Sequence, residues 1–470
     1  MPSLRRATIR GIAQLSPRYL PFADVASETL PLKKLLRLSL LQVTVGMALV
    51  LLVGTLNRVM IVELSVPATI VGVMLALPVI FAPLRVLIGH ASDTYISPLG
   101  WRRVPFIWKG TLCQFGGLAI MPFALLVLAG KGESHNAPAF LGIGASALSF
   151  VLVGAGVHMV QTVGLALATD LAPQKDQPKV VGLMFVAMLV GMIISALVFG
   201  ALLVDFVAGR LIQVIQGAAV VTVVLNLVAI WKMEPRVRGR DREDINQPSF
   251  QRAIAAFMDQ PFSRPRLAVI AIGTLGFGMA DILLEPYGGQ VLELTVAQTT
   301  RLTATFAVGG LLGLALASRL TRHVGEPLWM AALGLVMGLP AFALVAFAAT
   351  AQSTEMFAAG TLLIGFGAGL FGHGTLSSVI RHARPGEVGL ACGAWGAVQS
   401  TAAGAALALG SVLRDVGSAM PWSTAFNGAA PYFSVYAVEL VLLVVALAVL
   451  LPQLGRMARG GADAGRLRHS

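Results

Sequence analysis

Long apolar segments recur along almost the whole chain, and they constrain the fold more than any other feature. A helix needs about 20 mostly apolar residues to cross the hydrocarbon core of a bilayer. Because hydrocarbon offers backbone groups no water to bond with, such segments are helical. The sequence therefore predicts an all-α polytopic membrane protein with twelve transmembrane helices. We number the predicted spans 1 to 12 in chain order: 36–57, 67–89, 106–129, 139–170, 178–204, 211–231, 266–290, 299–318, 328–350, 356–380, 388–413 and 431–452.

The composition agrees with a membrane protein and speaks against a soluble one. Only 12% of the residues are charged and the mean hydropathy is +0.81, whereas soluble domains are nearer a quarter charged. Two cysteines, Cys113 and Cys392, fall inside apolar spans far apart in the sequence. We therefore expect neither a disulfide framework nor a metal site.

The distribution of lysine and arginine predicts the orientation. With the N-terminus inside, 28 of the 34 basic residues fall in inner segments and 5 in outer loops. This bias predicts that both termini are cytoplasmic. It also accounts for the net charge of +12 as contact with anionic lipid, so we expect no nucleic-acid partner.

A long polar stretch divides the chain into two halves that resemble each other. The predicted units are an N-terminal arm (1–35), a first six-helix bundle (36–231), a central loop (232–265), a second bundle (266–452) and a basic tail (453–470). Asp170-Leu-Ala-Pro173 corresponds to His382-Ala-Arg-Pro385 in the repeat. Two similar six-span halves are the architecture of the major facilitator superfamily.

The loop between spans 2 and 3 is similar to the gating loop of that superfamily. It contains Gly89, Asp93, Arg102 and Arg103, of which the Asp would cap a helix and pair with the arginines as a cytoplasmic latch. Extra residues separate Asp93 from the arginine pair, and the counterpart in the second half lacks the Asp. The sequence is compatible both with a moving latch and with a simple positive-inside loop.

Acidic residues inside spans are the strongest candidates for function. Asp281 and Glu285 lie at i and i+4 on one face of span 7 and are followed by Pro286, Tyr287 and two glycines. A charged side chain at the bilayer centre costs about 2.5–3.5 kcal/mol on insertion scales. We expect a break of the helix at Pro286 and a polar docking site built from Asp281, Glu285, Tyr287 and Glu439 of span 12; a purely structural role is the alternative.

Two histidines and one glycine-rich face are further candidates. His158 in span 4 and His373 in span 10 lie among glycines, and a neutral imidazole can bind the magnesium of a chlorin. Packing inside the bundle is the alternative for both. Span 11 carries Gly389, Gly393, Gly396 and Gly404, which predict a face where a separate helix docks, or else packing inside the second bundle.

Several strings together resemble one family. They are RLSLLQVTVGM (37–47), GTLNRVMIVEL (54–64), LIGHASDT (87–94), LGWRRVPFIWKGTLCQFGGLAIMPFALL (99–126) and DILLEPYGGQVL (281–292). They resemble the PucC/LhaA family of purple phototrophic bacteria, a branch of the major facilitator superfamily, and the opening RYLPFADVA favours the LhaA type.

The resemblance implies a non-enzymatic assembly factor of the bacterial intracytoplasmic photosynthetic membrane. Its clients would be antenna α and β polypeptides, with the core antenna LH1 favoured over the peripheral LH2, and its cargo bacteriochlorophyll, bound transiently. Further expected partners are the reaction centre–antenna complex, bacteriochlorophyll synthase and the insertion machinery. Synthase activity itself is not expected, since no Asp-rich DxxxD helix is present. The alternative is a proton-coupled small-molecule transporter or a pigment flippase; a narrow apolar central cavity would favour the assembly factor.

Overall fold

Helices dominate the part of the chain that the structure describes, as the long apolar segments predict. The computed structural model describes residues 31–80, nine positions between 85 and 100, and residues 101–130, 138–173, 177–235, 263–321, 326–382 and 388–466. Within these residues, eleven helices are long and apolar enough to cross a membrane. The prediction of an all-α polytopic membrane protein is confirmed.

The observed helices follow the predicted spans closely, with differences at the ends. Span 2 is described only in part, and span 12 continues well past the predicted end at residue 452. The bounds are Leu32–Glu63 (span 1), Ala68–Ala76 with a 3-10 turn Leu77–Ile80 (2), Val104–Leu128 (3), Ala139–Leu171 (4), Gln177–Leu202 (5), Ala208–Ile230 (6), Ser263–Gly278 with Ala280–Gln290 (7), Val296–Leu320 (8), Leu328–Ala351 (9), Thr354–His382 (10), Val388–Ser418 (11) and Ala430–Arg466 (12). The predicted tail therefore begins inside a helix.

The packing of the helices repeats between the halves. Span 1 packs on spans 5 and 6, and span 3 packs on spans 4 and 6; spans 7 and 9 pack in the same way on spans 11 and 12 and on spans 10 and 12. Between the halves, span 2 contacts span 11 and span 5 contacts span 8. Spans 2 and 5 of the first half correspond to spans 8 and 11 of the second, so exchanging the halves turns each of these two contacts into the other. The halves are therefore related by a pseudo-two-fold axis.

Glycines allow the helices of the second half to pack closely. A Cβ atom added at Gly309 or Gly313 of span 8 would collide with the backbone of Leu362 or Phe366 in span 10. Apolar side chains gain little from leaving lipid, so close backbone contact is a main source of helix association in membranes. This explains part of the high glycine content.

Span 1 departs from regular α-helix where it meets the second half. Residues Val50–Leu56 and Val59–Glu63 are π-helical. A π-helical turn accommodates an extra residue and is frequent at functional sites. The two segments flank Asn57 and Arg58, both almost fully buried. We call the membrane face where span 1 begins the terminal face and the one where it ends the far face.

Candidate functional site

Asn57 of span 1 completes the hydrogen bonding of span 7. Proline has no amide hydrogen, so Pro286 leaves the carbonyl of Ile282, four residues earlier, without its helical donor. The Asn57 Nδ2 donates to that carbonyl oxygen at 2.7 Å, and Asn57 is fully buried. A side chain from the first half thus supplies the bond that a proline in the second half removes.

This bond explains why the expected break at Pro286 is not observed. The helix Ala280–Gln290 runs through Pro286, and span 7 is interrupted earlier, at Met279, between its two helical segments. Met279 keeps helical dihedral angles (φ −69°, ψ −30°), so the interruption affects hydrogen bonding more than direction. The prediction of a break after Glu285 was wrong because a neighbouring span replaces the missing donor.

Arg58 joins the halves at the far face. Its Nη1 lies 2.5 Å from the Glu63 Oε1, and its Nη2 donates to the Leu294 carbonyl in the connection between spans 7 and 8 at 2.8 Å. A Cβ added at Gly289 would lie 2.8 Å from the Arg58 Nε. Gly289, three residues after Pro286, therefore leaves space for the Arg58 guanidinium. It does not introduce a bend.

Asp281 and Glu285 face one small cavity between the halves. Its volume is about 120 Å³, and spans 1, 5, 7, 8 and 10 contribute its lining: Leu49, Val53, Gly54, Met192, Asp281, Leu284, Glu285, Leu302, Thr303, Phe306 and Thr361. The Thr303 hydroxyl donates to the Glu285 Oε1, whereas the Oε2 has no hydrogen-bond partner in the described structure. The cavity is narrow and its lining is mostly apolar.

Tyr287 and Glu439 complete the set predicted for this site, but they do not line the cavity. Tyr287 is fully buried, donates to the Val345 carbonyl at 3.0 Å and packs edge-on against Tyr432. Glu439 is fully buried and lies beside Asp281 and the backbone of Ala280. Tyr287 therefore has a packing role, and Glu439 lies next to Asp281 without lining the cavity.

A second contact between the halves at the far face was not predicted from the sequence. The Asp415 Oδ2 of span 11 accepts from the Thr69 backbone amide at 2.7 Å, at the free N-terminal end of span 2, where the helix dipole favours a negative charge. Arg414 binds the Asp415 Oδ1 at 2.8 Å and the Gln290 Oε1 at 2.7 Å. Together with Arg58, this chain of contacts holds the far ends of the halves together.

The predicted latch residues at the terminal face bind within the first half. The Arg103 Nε lies 3.0 Å from the Asp170 Oδ2 of span 4, and the backbone amides of Arg102 and Arg103 donate to the Glu234 carboxylate at 2.8 and 2.9 Å. Gly89 is helical and half-buried. Asp93 lies outside the described residues, so its predicted pairing is not tested.

The corresponding corner of the second half has the opposite charge order. There the acid begins span 9 and the base ends span 10: the Glu326 Oε2 lies 3.4 Å from the His382 Nε2, and the Ser378 hydroxyl donates to Glu326 at 2.8 Å. Asp170 and His382 are the positions that the sequence repeat aligns. Glu326 was not predicted as a partner of His382, although the repeat had aligned His382 with Asp170.

The two histidines lie in different halves, and neither lines the cavity between them. His158 hydrogen-bonds to the backbone of Pro78, and Pro78 also fills the space beside Gly154. His373 is half-buried, with its Nε2 3.3 Å from the Ser377 hydroxyl, and the neighbouring Gly372 has open space around its Cβ position. Gly154, one turn before His158, packs against Pro78, and Gly369, one turn before His373, packs in the same way against Gly310. The two histidines differ in that Gly372, directly before His373, is open.

The glycine face of span 11 is turned towards the first half and not towards lipid. Ser400, on the same helical face, accepts from the Arg85 Nη1 of span 2 at 3.0 Å, and Ser411 of this face fills the space beside Gly72. The glycines share this orientation by helical periodicity: Gly389, Gly393, Gly396 and Gly404. Gly404 is buried, and the Cβ positions of Gly393 and Gly396 are open. This orientation favours contact of the face with span 2, and the docking of a separate helix there stays a prediction.

Comparison with known proteins identifies the family. The family model described as "PUCC protein" matches residues 55–458. The chain belongs to the PucC family. Protein PucC of Rhodovulum sulfidophilum is 60% identical over 418 residues, 88% of this chain and 92% of that protein. Protein PucC of Rhodobacter capsulatus is 55% identical over 460 residues, 97% of this chain and 99% of that protein. A "Bacteriochlorophyll synthase 44.5 kDa chain" of Rhodobacter capsulatus is 26% identical over 438 residues, 89% of this chain and 94% of that protein.

Solved transporters share the fold of this PucC family member. A bacterial homologue of the human lysosomal transporter Spinster, in an inward-facing conformation, superposes with a TM-score of 0.64 at 17% identity, over 89% of this chain and 95% of that one. A D-xylose–proton symporter superposes with a TM-score of 0.65 at 15% identity, over 88% and 96%. The major facilitator fold is confirmed. Membership of the PucC family is also confirmed, whereas the preference for the LhaA type is not.

Proposed function

We propose that this PucC family member is a non-enzymatic assembly factor for bacterial light-harvesting antenna. It holds newly inserted antenna α and β polypeptides in the photosynthetic membrane and assists the delivery of bacteriochlorophyll to them. Family membership and the resemblance of the quoted strings support this role. The name of the synthase-chain relative does not extend to this chain, because no Asp-rich DxxxD helix is present.

The size of the central cavity is the observation that carries the proposal. Pockets for small-molecule ligands usually measure about 300–1,000 Å³, whereas the cavity between the halves measures about 120 Å³. The far face above it is joined by Arg58 and Asp415. The cavity that Asp281 and Glu285 line is too small for a pigment, so we place client contact on the outer surface of the bundles.

Pigment contact is the part of the proposal that rests on His373. Bacteriochlorophyll supplies a magnesium ion that accepts one axial ligand, and an imidazole nitrogen suits that position. His373 fits better than His158 because the adjacent Gly372 is open, whereas Gly154 and Gly156 near His158 are both packed, against Pro78 and against Gly110. We propose transient ligation at His373, with His158 in a structural role.

The membrane setting belongs to the proposal as well. The 28-to-5 bias of basic residues supports cytoplasmic termini in the intracytoplasmic membrane. The reaction centre–antenna complex, bacteriochlorophyll synthase and the insertion machinery are the expected neighbours, because a helix awaiting pigment passes between them. Anionic lipids contact the basic terminal face.

Co-purification with mass and absorption measurements tests this function. The tagged protein is isolated in mild detergent from a host that makes bacteriochlorophyll, and small polypeptides and far-red absorption are recorded. We expect antenna polypeptides together with pigment, and their masses identify LH1 or LH2 as the client. His373→Leu is expected to lose pigment and keep polypeptide, whereas the matched variant His158→Leu keeps both. Absence of antenna polypeptides from the wild-type sample would refute the assembly role.

A proton-coupled carrier is the second candidate, and one observation favours it. Asp281 and Glu285 face the same cavity, in a protein whose fold is shared with a proton symporter. The double variant Asp281→Asn with Glu285→Gln removes both charges with little change of shape. Loss of a proton-driven flux with antenna assembly retained would support the carrier. Loss of assembly without any flux in the wild type would reject it.

A further inference from the structure

Span 6 presents two amide side chains on its outer surface. Gln213 and Gln216 are both exposed, and neither forms a hydrogen bond with another described residue. With a rise of 1.5 Å per residue, Gln216 lies about 12 Å along the helix from its start at Ala208. Polar groups on a lipid-facing surface at this depth find no water, and side-chain amides commonly bond across to a neighbouring helix.

The matching helix of the second half shows that such amides are not a requirement of the fold. Span 12 takes the place of span 6 under the pseudo-two-fold axis and exposes Val441, Val444 and Leu451 by 60%, 52% and 48%. Its one glutamine, Gln453, is buried and donates to the Val449 carbonyl of its own helix. The amides of span 6 are therefore a feature of one half only.

The rest of the span 6 surface suits a second helix. Gly217 follows the amides on the same face and has open space at its Cβ position, so another backbone can approach closely there. Below it, branched and apolar side chains continue the same stripe to the terminal face: Val220, Val221, Val224, Leu227, Val228 and Trp231. The stripe follows the helical period over the whole length of the span.

A crevice with a mostly apolar lining lies at the terminal end of this stripe. It has a volume of about 230 Å³ and is lined by Arg37, Leu227, Val228 and Trp231. Arg37 donates through Nη2 to the Trp231 carbonyl, and Lys33 and Lys34 are exposed one turn earlier on span 1. Positive charge therefore surrounds this end of the stripe at the terminal face, where it complements an acidic group of a client.

We propose that the outer face of span 6 binds one transmembrane helix of a client polypeptide. The client helix presents small residues opposite Gly217, a hydrogen-bonding side chain opposite Gln213 and Gln216, and a carboxylate near Arg37. Charge and hydrogen-bond complementarity select a helix with these groups over lipid. This inference rests on the proposed function, since it names the surface on which an antenna helix is held.

The experiment replaces both amides by a lipid-compatible side chain. Gln213→Leu with Gln216→Leu removes the hydrogen bonds, and leucine favours insertion and folding in the membrane. Interhelical bonds in membranes are worth about 0.6–1.7 kcal/mol, so we expect roughly tenfold less co-purified antenna polypeptide. The matched control, Val441→Leu with Val444→Leu on span 12, is expected to capture as much as the wild type.

Photo-crosslinking locates the contact directly. A benzophenone amino acid at Val220 is expected to crosslink to an antenna polypeptide, and the same group at Val444 is not. Arg37→Gln is expected to reduce capture, whereas Arg210→Gln at the other end of span 6 has no effect.

The outcomes separate this inference from the proposed function. If the wild type captures antenna polypeptides and the double glutamine variant captures them equally, the span 6 surface is wrong and the assembly role stands. If the group at Val220 joins two copies of this chain, the face is a self-interface and the inference is overturned. If the wild type captures no antenna polypeptide, the assembly role fails, and the inference fails with it.

Discussion

The bond between Asn57 and the Ile282 carbonyl gives the sharpest test of how the halves are joined. Asn57→Leu keeps the approximate shape of the side chain and removes the donor. An unpaired buried carbonyl costs about 1–3 kcal/mol, and hydrogen bonds between membrane helices are worth about 0.6 kcal/mol on average. The Asn57 Oδ1 is itself buried without a partner, and leucine removes that cost. We therefore expect the variant to lose about 1 kcal/mol of stability.

Pro286→Ala tests whether the missing amide hydrogen of the proline is the reason why Asn57 stabilises the protein. An alanine at this position restores an amide hydrogen that can bond to the Ile282 carbonyl from within the helix. In this background, Asn57→Leu is expected to cost nothing or to stabilise the protein slightly. The coupling energy between the two positions should therefore be about 1–2 kcal/mol, inside the range of about 0.5–3 kcal/mol for residues of one hydrogen-bond network.

The measurement is a double-mutant cycle of unfolding in mixed micelles, followed by far-ultraviolet circular dichroism as the denaturing detergent is increased. Thr55→Val provides the control, since Thr55 also joins the halves, at 3.3 Å from the Thr300 hydroxyl, but does not contact span 7 at the proline. Its cost should be the same with Pro286 or with alanine. Equal destabilisation by Asn57→Leu in both backgrounds would refute the reasoning.

Three further predictions concern the contacts at the two faces. Gly289→Ala places a Cβ 2.8 Å from the Arg58 Nε, so we expect about 1–3 kcal/mol of destabilisation in the same unfolding assay; no loss would show that the guanidinium can move freely. Asp415→Asn removes the negative charge at the start of span 2, worth about 0.3–1 kcal/mol, and should raise the labelling rate of a cysteine placed at Thr69, where the two halves meet at the far face. Arg103→Asp is expected to destabilise the first half, and Asp170→Arg in the same chain should recover stability measured by thermal unfolding; failure of the pair to recover would mean that the 3.0 Å contact contributes little.

Much of the fold was predictable because the bilayer leaves few choices. A segment of about 20 apolar residues must be a helix, since only a helix satisfies its own backbone in hydrocarbon. Span 4, predicted as 139–170, is observed at Ala139–Leu171. The correspondence of Asp170 and His382 was likewise predictable from the sequence, because the two halves carry similar strings.

The ends of the helices were less predictable for a related reason. Span 1 continues to Glu63, beyond the apolar run, because Arg58 and Glu63 neutralise each other and Arg58 bonds to the Leu294 carbonyl. Hydropathy counts Arg58 as a charge that ends a span. The Leu294 carbonyl lies far away in the sequence, so its contribution to stabilising the buried charge of Arg58 cannot be read from hydropathy.

The candidate site divides in the same way. The sequence was enough to place Asp281 and Glu285 on one helical face, because the 3.6-residue period sets the spacing. It also indicated that Pro286 lacks a donor, and it therefore predicted a break. That the helix continues follows only from the packing of distant segments, since the donor that replaces the missing amide comes from Asn57, more than two hundred residues earlier. Local chemistry set the need for a hydrogen bond, and the packing of span 1 on span 7 decided how it was met.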